Sequence, residues 1–344
     1  MTCAISIAMA TYNGAAFLEE QLASLAAQQP EPAELVVCDD GSTDDTIAIL
    51  ERFASRASFP VHIHRNERNL GYVENFLKAA QLCRGDWISF CDQDDVWLPD
   101  NLASVARAIG ATPGAALVGH KAAVVDRNLA PLGYEVPRLM PARRVIEPLE
   151  QPLWFRLPGF CCTVEASLIR DFPHDDRPLS FTYPPVTQSA DKRAVWLGNI
   201  FGRTLLIHES KTLYRRHEEN VTALARTRAR GLKISGRGDE HGFNAARARS
   251  AESYVREIAR LRAFAKDEDK RRRLDAAAVY YARIARLFRL RAALSSLPPG
   301  KRIAGLLRLA AGGMYGRAGL GPRSAIRDLL TVFLPARGAP ETGS

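Results

Sequence analysis

The chain has 344 residues, 47% of them apolar, and carries 47 Lys and Arg against 38 Asp and Glu, a formal net charge of +9. Such a composition can bury a core and excludes an intrinsically disordered chain, and the length suits one large domain or two ordinary ones. The charge is divided along the chain: residues 1–220 hold 21 basic and 28 acidic side chains, whereas the rest holds 26 and 10. There is no run of about 18 uncharged apolar residues, so no membrane-spanning helix is expected. The start, "MTCAISIAMATYNG", has no basic leader segment and reads as a strand running into a turn. Cys3, Cys38, Cys83, Cys91, Cys161 and Cys162 lack the paired spacing of a metal site. They read as reduced, mostly buried thiols of a cytoplasmic protein.

The first hundred residues alternate strand and helix. "AISIAM" (4–9) is an apolar run of strand length, and "AAFLEEQLASLAAQ" places Phe17, Leu18, Leu22 and Leu25 at helical spacing before Pro30. "ELVVCDD" is a second strand. "GSTDDT" starts a second helix, with Ser42 and Asp45 spaced as a capping box and Ile47, Leu50 and Phe53 on its apolar face. "VHIH" (61–64) is a third strand, and "YVENFLKAAQLC" is a third helix carried by Val73, Phe76, Leu77 and Ala80. "DWISFC" (86–91) is the fourth strand. This alternation predicts a mainly parallel sheet covered on both faces, with ligands bound beyond the carboxyl ends of the strands.

The polar clusters fall at those ends: "ATYNG" after the first strand, "CDDGS" after the second and "CDQDDVW" after the fourth. Taken singly, each could be a turn or a helix cap. Three of them converging on one edge point to a site. No G-x-G-x-x-G follows the first strand, which argues against a dinucleotide fold. Asp92, Asp94 and Asp95 lie within four positions, and carboxylates so close repel unless a cation is shared between them. With no Cys or His ligand nearby in sequence, the cluster suits Mg²⁺ or Mn²⁺ holding substrate phosphates.

These segments resemble the family 2 glycosyltransferases of GT-A fold. The resemblance runs through "SIAMATYNGAAFLEEQLASLAAQ", "VVCDDGSTDDT", "NLGYVENFLKAA" and "GDWISFCDQDDVWLPDNL", and "CDQDDVW" is similar to the rhamnosyltransferase-like branch. It returns at "LPGFCCTVEASLI" and at "SADKRAVWLGNIFG" through "KTLYRRHEENVTAL". The resemblance implies a GT-A catalytic domain over 1–225 and an inverting, metal-dependent transfer of a sugar, rhamnose among the candidates. The donor would be a nucleotide-diphosphate sugar and the acceptor a saccharide or lipid-linked glycan of a cell-surface polysaccharide. It implies that Thr11 and Tyr12 line the nucleotide pocket and that Asp39 or Asp40 accepts from the base or the ribose. Asp92 and Asp94 form the D-x-D motif, with Asp94 the metal ligand, Asp92 near ribose or metal, and Asp95 in support. Asp191 would be the base, although Ala190 stands where the branch carries His. "YRRH" offers Arg215, Arg216 and His217 to the diphosphate or the metal, and the acceptor would lie over Pro158 to Thr163. Trp97 is either under the sugar or in the core, and His62 and His64 carry no role.

Beyond Arg226 the pattern is helical and Arg-rich, with 226–248 reading as a linker inside a basic region, 226–344. Tyr254, Val255, Ile258 and Leu261 share one helical face; Leu274, Tyr281, Ile284 and Phe288 share another. These helices either pack on the catalytic domain or attach it peripherally to an anionic membrane. Nucleic-acid binding is not expected, because no recognised motif accompanies the charge. Two other functions fit less well. A sugar-phosphate nucleotidyltransferase would want a Gly-rich basic signature after the first strand, and a non-catalytic nucleotide-sugar or membrane-binding protein would have lost the carboxylates.

Overall fold

The computed structural model describes residues 3–153, 155–181, 186–218, 220, 240–316, 324–326 and 328–329. Four parallel strands come first: β1 (Ile5–Thr11), β2 (Glu34–Asp39), β3 (Val61–Arg65) and β4 (Trp87–Cys91). Between them run α1 (Ala15–Ala26), α2 (Thr46–Ala54) and α3 (Tyr72–Leu82). The two-residue β5 (Val96–Trp97) and α4 (Asn101–Ala111) lead to β6 (Ala115–Val125), β7 (Pro131–Val136), β8 (Val145–Ile146) and β9 (Cys162–Glu165). The short α5 (Ser167–Arg170), α6 (Ala190–Phe201) and β10 (Arg203–Arg215) follow. The sheet order is β3-β2-β1-β4-β9-β6-β10-β5, with β7 on β6 and β8 on β10. The parallel half is as expected; β9 runs antiparallel to both its neighbours, so the sheet is mixed.

Period-two alternation divides the core between the two faces of the sheet. Ile5, Ile7 and Met9 join Leu35, Val37, Leu18, Leu22, Leu50 and Leu102 on one face. Ala8, Val36, Ile88 and Phe90 join Leu77, Ala80, Ala194 and Trp196 on the other. Trp97 lies in the first of these cores, nearly inaccessible, and not in a sugar pocket. The capping box does not form. Asp45 sits at the N-cap of α2 without a side-chain bond, because the Ser42 hydroxyl is drawn back to Asp39.

The basic region contributes α7 (Glu240–Leu261), α8 (Glu268–Ala293) and α9 (Pro299–Ala311). Of the expected linker, 226–239 lies outside the described residues, while 240–248 is already helix: Ala248 and Ala251 are buried and commit these turns to packing. The α7–α8 hairpin lies on α6. Trp196 meets Tyr254 edge-on at 5.1 Å between ring centroids, Tyr254 stacks on Tyr281 at 4.8 Å, and Phe181 lies 5.0 Å from Tyr254. Trp196, Tyr254, Ile258, Leu274, Tyr281, Ile284 and Phe288 belong to the same buried cluster as the sheet residues, so the apolar faces read from the sequence are core faces.

Arg193 of α6 is fully buried and paired at 2.8 Å with Glu257 of α7, itself almost fully buried. Its guanidinium also donates to the Pro173 carbonyl at 2.7 Å. Burial pulls Arg193 down to about 10 even with Glu257 against it. Breaking a buried pair strands a charge and typically costs about 3–5 kcal/mol, whereas replacing both partners with apolar groups is often neutral. Glu257→Gln is therefore expected to lower unfolding stability in urea by that amount, and Arg193→Met/Glu257→Met to recover most of it. A single variant within about 1 kcal/mol of the parent would show that the pair does not hold α6 to the hairpin.

Candidate active site

Because β1, β2 and β4 are parallel and in register (Thr11 opposite Asp39, Met9 opposite Cys91), the three polar clusters emerge along one edge. The first two are tied into a rigid foundation. Asp39 is fully buried. It accepts from the Thr11 hydroxyl at 2.9 Å, the Gly41 and Ser42 amides at 3.1 and 2.9 Å, and the Ser42 hydroxyl at 2.5 Å. Asp40 accepts from the Leu70 and Gly71 amides at 2.7 and 2.8 Å and from Asn66 Nδ2 at 2.9 Å, which fixes the 66–71 loop. All four lone-pair sites of Asp39 are thus used, and Asp40 keeps spare capacity on Oδ2. Tyr12, in contrast, is 52% exposed at the rim.

The third cluster is stitched to the first by Gln93, the middle residue of the D-x-D motif, which the sequence reading passed over. Its Oε1 accepts from the Tyr12 amide at 2.9 Å, and its Nε2 donates to the Tyr12 carbonyl at 3.1 Å. Its side-chain amide therefore pairs with Tyr12 as a neighbouring strand would. Gly14 leaves room for this approach: a Cβ there would stand 2.3 Å from Gln93 Oε1, and the amide would have to shift. The available signal was its place between two motif aspartates.

Ligand oxygens of Asp92, Asp94 and Asp95 lie within 4.8 Å of one another. Burial, then the charges of Asp94 and Asp191, pushes Asp92 up to about 8. Burial followed by Asp94 and Asp92 holds Asp95 well above the ordinary carboxylate range. Asp95 Oδ1 accepts from the Arg215 amide at 3.0 Å, while Oδ2 is buried with no hydrogen-bond partner. The end of β10 closes the cluster. His217 Nε2 lies 2.8 Å from Asp94 Oδ2, and Asn220 Nδ2 donates to that same oxygen at 3.2 Å. Asn220 Oδ1 accepts from the His217 amide at 2.7 Å and fixes the turn that presents the imidazole. Asn220 stands outside the "YRRH" motif read from the sequence, and its contact with Asp94 spans 126 positions of the chain.

Arg215 is not a free diphosphate ligand. Buried over the Phe17 ring, it donates to the Asp94 and Arg127 carbonyls at 2.8 and 2.6 Å and pairs with Glu20 at 2.5 Å, bracing the acidic loop. Arg216 is half-exposed, and among the described residues no acidic side chain pairs with it, so its charge remains available to an anion.

The donor set fits a hard divalent cation. Ligands about 2.0–2.1 Å from an octahedral Mg²⁺ lie about 3 Å apart along an edge, and Asp94 Oδ2 and His217 Nε2 are already 2.8 Å apart. The unpartnered Asp95 oxygen and the raised carboxyls of Asp92 and Asp95 suit a cation placed among them. Across from them, Asp191 stands in the first turn of α6, where the Ser189 hydroxyl donates to its Oδ1. Its charge reaches Asp92, Tyr72 and Cys162, so it lies within electrostatic range of the acidic cluster. Gly159 brings the Pro158–Thr163 segment beside it: a Cβ at Gly159 would lie 3.5 Å from that of Asp191. His62 and His64 are on β3, at the far edge of the sheet order.

A mixed, doubly covered sheet with a D-x-D loop at the end of β4 is the architecture of a GT-A transferase. Residues 6–173, just under half of the chain, match the model of glycosyl transferase family 2. An uncharacterized glycosyltransferase of Mycoplasma pneumoniae is 36% identical over 108 residues, 30% of this chain and 36% of that protein. The dTDP-rhamnosyl transferase RfbG of Shigella flexneri is 38% identical over 100 residues, 27% of this chain and 34% of that protein. The chain thus spans about a third of the length of these curated relatives. Among solved structures, S. aureus TarS 1-349 in complex with UDP-GlcNAc superposes with a TM-score of 0.52 at 18% identity, over 88% of this chain and 89% of that one. That likeness concerns the fold.

The raised carboxyls carry a pH signature. With folded values of Asp92 and Asp95 above those of the unfolded chain, the native state binds more protons from about pH 4 upward. Metal-free stability therefore falls as pH rises toward the Asp92 value of about 8. A bound cation offsets the repulsion most where both groups are ionised. The Mn²⁺-induced rise in Tm is expected to be larger at about pH 8 than at about pH 5. Thermal melts with Mn²⁺ and with EDTA check this; equal rises at both pH values would dissociate the ion from these carboxylates.

Proposed function

We propose that this chain is an inverting, metal-dependent glycosyltransferase that moves a sugar from a nucleotide-diphosphate donor to a saccharide or lipid-linked acceptor of a cell-surface polysaccharide. The observation that supports the reading is the acidic cluster of Asp92, Asp94 and Asp95, with His217 against Asp94 and the charge of Asp191 within reach of Asp92. The kinship with a dTDP-rhamnosyl transferase supports dTDP-rhamnose as the donor to test first. In this reading residues 1–225 form the catalytic unit, and the basic helical region supports it and gives it the charge for peripheral contact with an anionic membrane.

Asp94 and His217, with Asp92 beside them, would hold Mg²⁺ or Mn²⁺. When bound, the ion neutralises diphosphate charge as the nucleotide leaves. Tyr12 packs on the base at the rim. Thr11 and Asp39 keep the floor rigid, and Asp40 offers its spare lone pair to the ribose or base. Arg216 meets the diphosphate. Asp191 takes the proton from an acceptor hydroxyl, whose oxygen attacks the anomeric carbon as the bond to phosphate breaks on the opposite face. One base suffices for a single displacement, and inversion of the anomeric centre follows.

General-base catalysis is typically worth about 10²–10⁴-fold. Asp191→Asn should lower kcat by that range while donor affinity, read by calorimetry with Mn²⁺, stays within about two-fold, since the amide preserves shape. Near-normal turnover with saturating acceptor would place the base elsewhere.

Asp94→Asn should behave differently, abolishing both turnover and the Mn²⁺ dependence of donor binding, because it removes a ligand and the partner of His217. Unchanged metal-dependent binding by this variant would remove the metal role from Asp94.

A further inference from the structure

From Ala276 to Arg327 the chain has ten Lys and Arg and no Asp or Glu. The next acid, Asp328, adds no surface charge: it is buried, accepting from Arg291 at 2.6 and 2.9 Å and from the Tyr315 hydroxyl at 2.8 Å. This acid-free stretch contains α9, which is amphipathic in an unusual sense. Its inner face is seated, with Leu309 fully buried and Gly305 so close that a Cβ would lie 2.9 Å from Leu294 Cδ1. Its outer face is also apolar. Ile303 is 54% exposed and Leu307 67% exposed, four residues apart and therefore stacked on one side, with Ala304 and Ala311 exposed along the same ridge. Lys301 and Arg308 are exposed on the same helix, Arg286 is exposed on α8, and none of the three has an acidic partner among the described residues. Past α9, Ile326 and Leu329 are again exposed, beside the Asp328 that pins their segment to α8.

We propose that the outer face of α9 is a docking surface for an anionic lipid bilayer, with Ile303 and Leu307 entering the headgroup boundary while Lys301, Arg308 and Arg286 meet lipid phosphates. A helix with large apolar side chains between basic ones, lying flat, is what such an interface selects. The absence of acids over 52 residues removes the repulsion that an acidic neighbour would bring near a negative surface. Duplex nucleic acid would use the charges but leave Ile303 and Leu307 in water, and the ridge has no aromatic side chain on which a single-stranded base could stack. The surface needs neither donor nor turnover, so its failure and that of the proposed transfer reaction are separable.

The test is co-sedimentation of the full chain with sucrose-loaded vesicles of phosphatidylcholine, alone or with added phosphatidylglycerol. Binding is expected only with the anionic lipid and should weaken with salt. Each basic side chain near such a surface is worth roughly five-fold in partitioning, so Lys301→Glu/Arg308→Glu should lose at least about twenty-five-fold. Ile303→Ser/Leu307→Ser should lose about ten-fold or more, with circular dichroism, melting and transfer to a soluble acceptor unchanged, since both residues are exposed. Any of four results overturns the proposal: equal binding to neutral vesicles; undiminished binding by both double variants; a fall in solution mass with Ile303→Ser/Leu307→Ser, which makes the ridge a contact between copies; or retention on duplex DNA with no vesicle binding.

Discussion

The fold is arranged around a repulsion. Asp92, Asp94 and Asp95 leave the end of β4 within reach of one another, in a place where burial already penalises their charge. Such a loop cannot keep its shape through its own contacts, and what surrounds it supplies the restraint. Gln93 ties it to the turn after β1, Arg215 holds its backbone from below, and His217 and Asn220 hold Asp94 from the side. In the proposed function, the negative charge these groups leave unbalanced is what a divalent cation would offset.

Asp191 completes the pocket from a different element, and its position depends on packing far from it. It rides on α6, whose other residues face inward: Arg193 to Glu257 of α7, Trp196 to the stacked pair Tyr254 and Tyr281. A tail that looks in composition like a basic appendage therefore has an interior role. It buttresses the helix that presents the carboxylate opposite the acidic loop, by aromatic packing and one desolvated ion pair.

The same helices give the molecule its charge asymmetry. Residues 1–220 hold 28 of the 38 acids, whereas Arg286, Lys301 and Arg308 are exposed on α8 and α9 without an acidic partner among the described residues. Where the two regions meet, opposite charges pair: Lys266 and Lys270 with Asp171, and Arg260 with Asp175. The buried pairs Arg193–Glu257 and Arg291–Asp328 secure helices of the basic region to what lies beneath them.

Much of this was legible along the chain, because parallel strands buried on both faces write themselves as continuous apolar runs and amphipathic helices as a period of 3.6. Strands β1 to β4, helices α1 to α3 and the buried faces of α7 and α8 are local patterns of that kind. So is the clustering of acids after β4, since strand ends in a parallel sheet share an edge. The tertiary structure alone decided the rest. The antiparallel insertion of β9 is set by pairing partners distant in sequence. Ser42 looked like a cap and became a ligand of Asp39, because a buried carboxylate competes for the hydroxyl more strongly than a helix end open to water. Arg215 and Arg216 are adjacent and chemically identical, yet one is buried as a brace and the other is half-exposed, a distinction made by the packing of Arg215 against Phe17, Glu20 and the acidic loop. Asn220 carries no signal in composition or spacing, and Gln93 only its place between two motif aspartates, because a side-chain amide acquires a role from the backbone or carboxylate groups that the fold brings within about 3 Å of it.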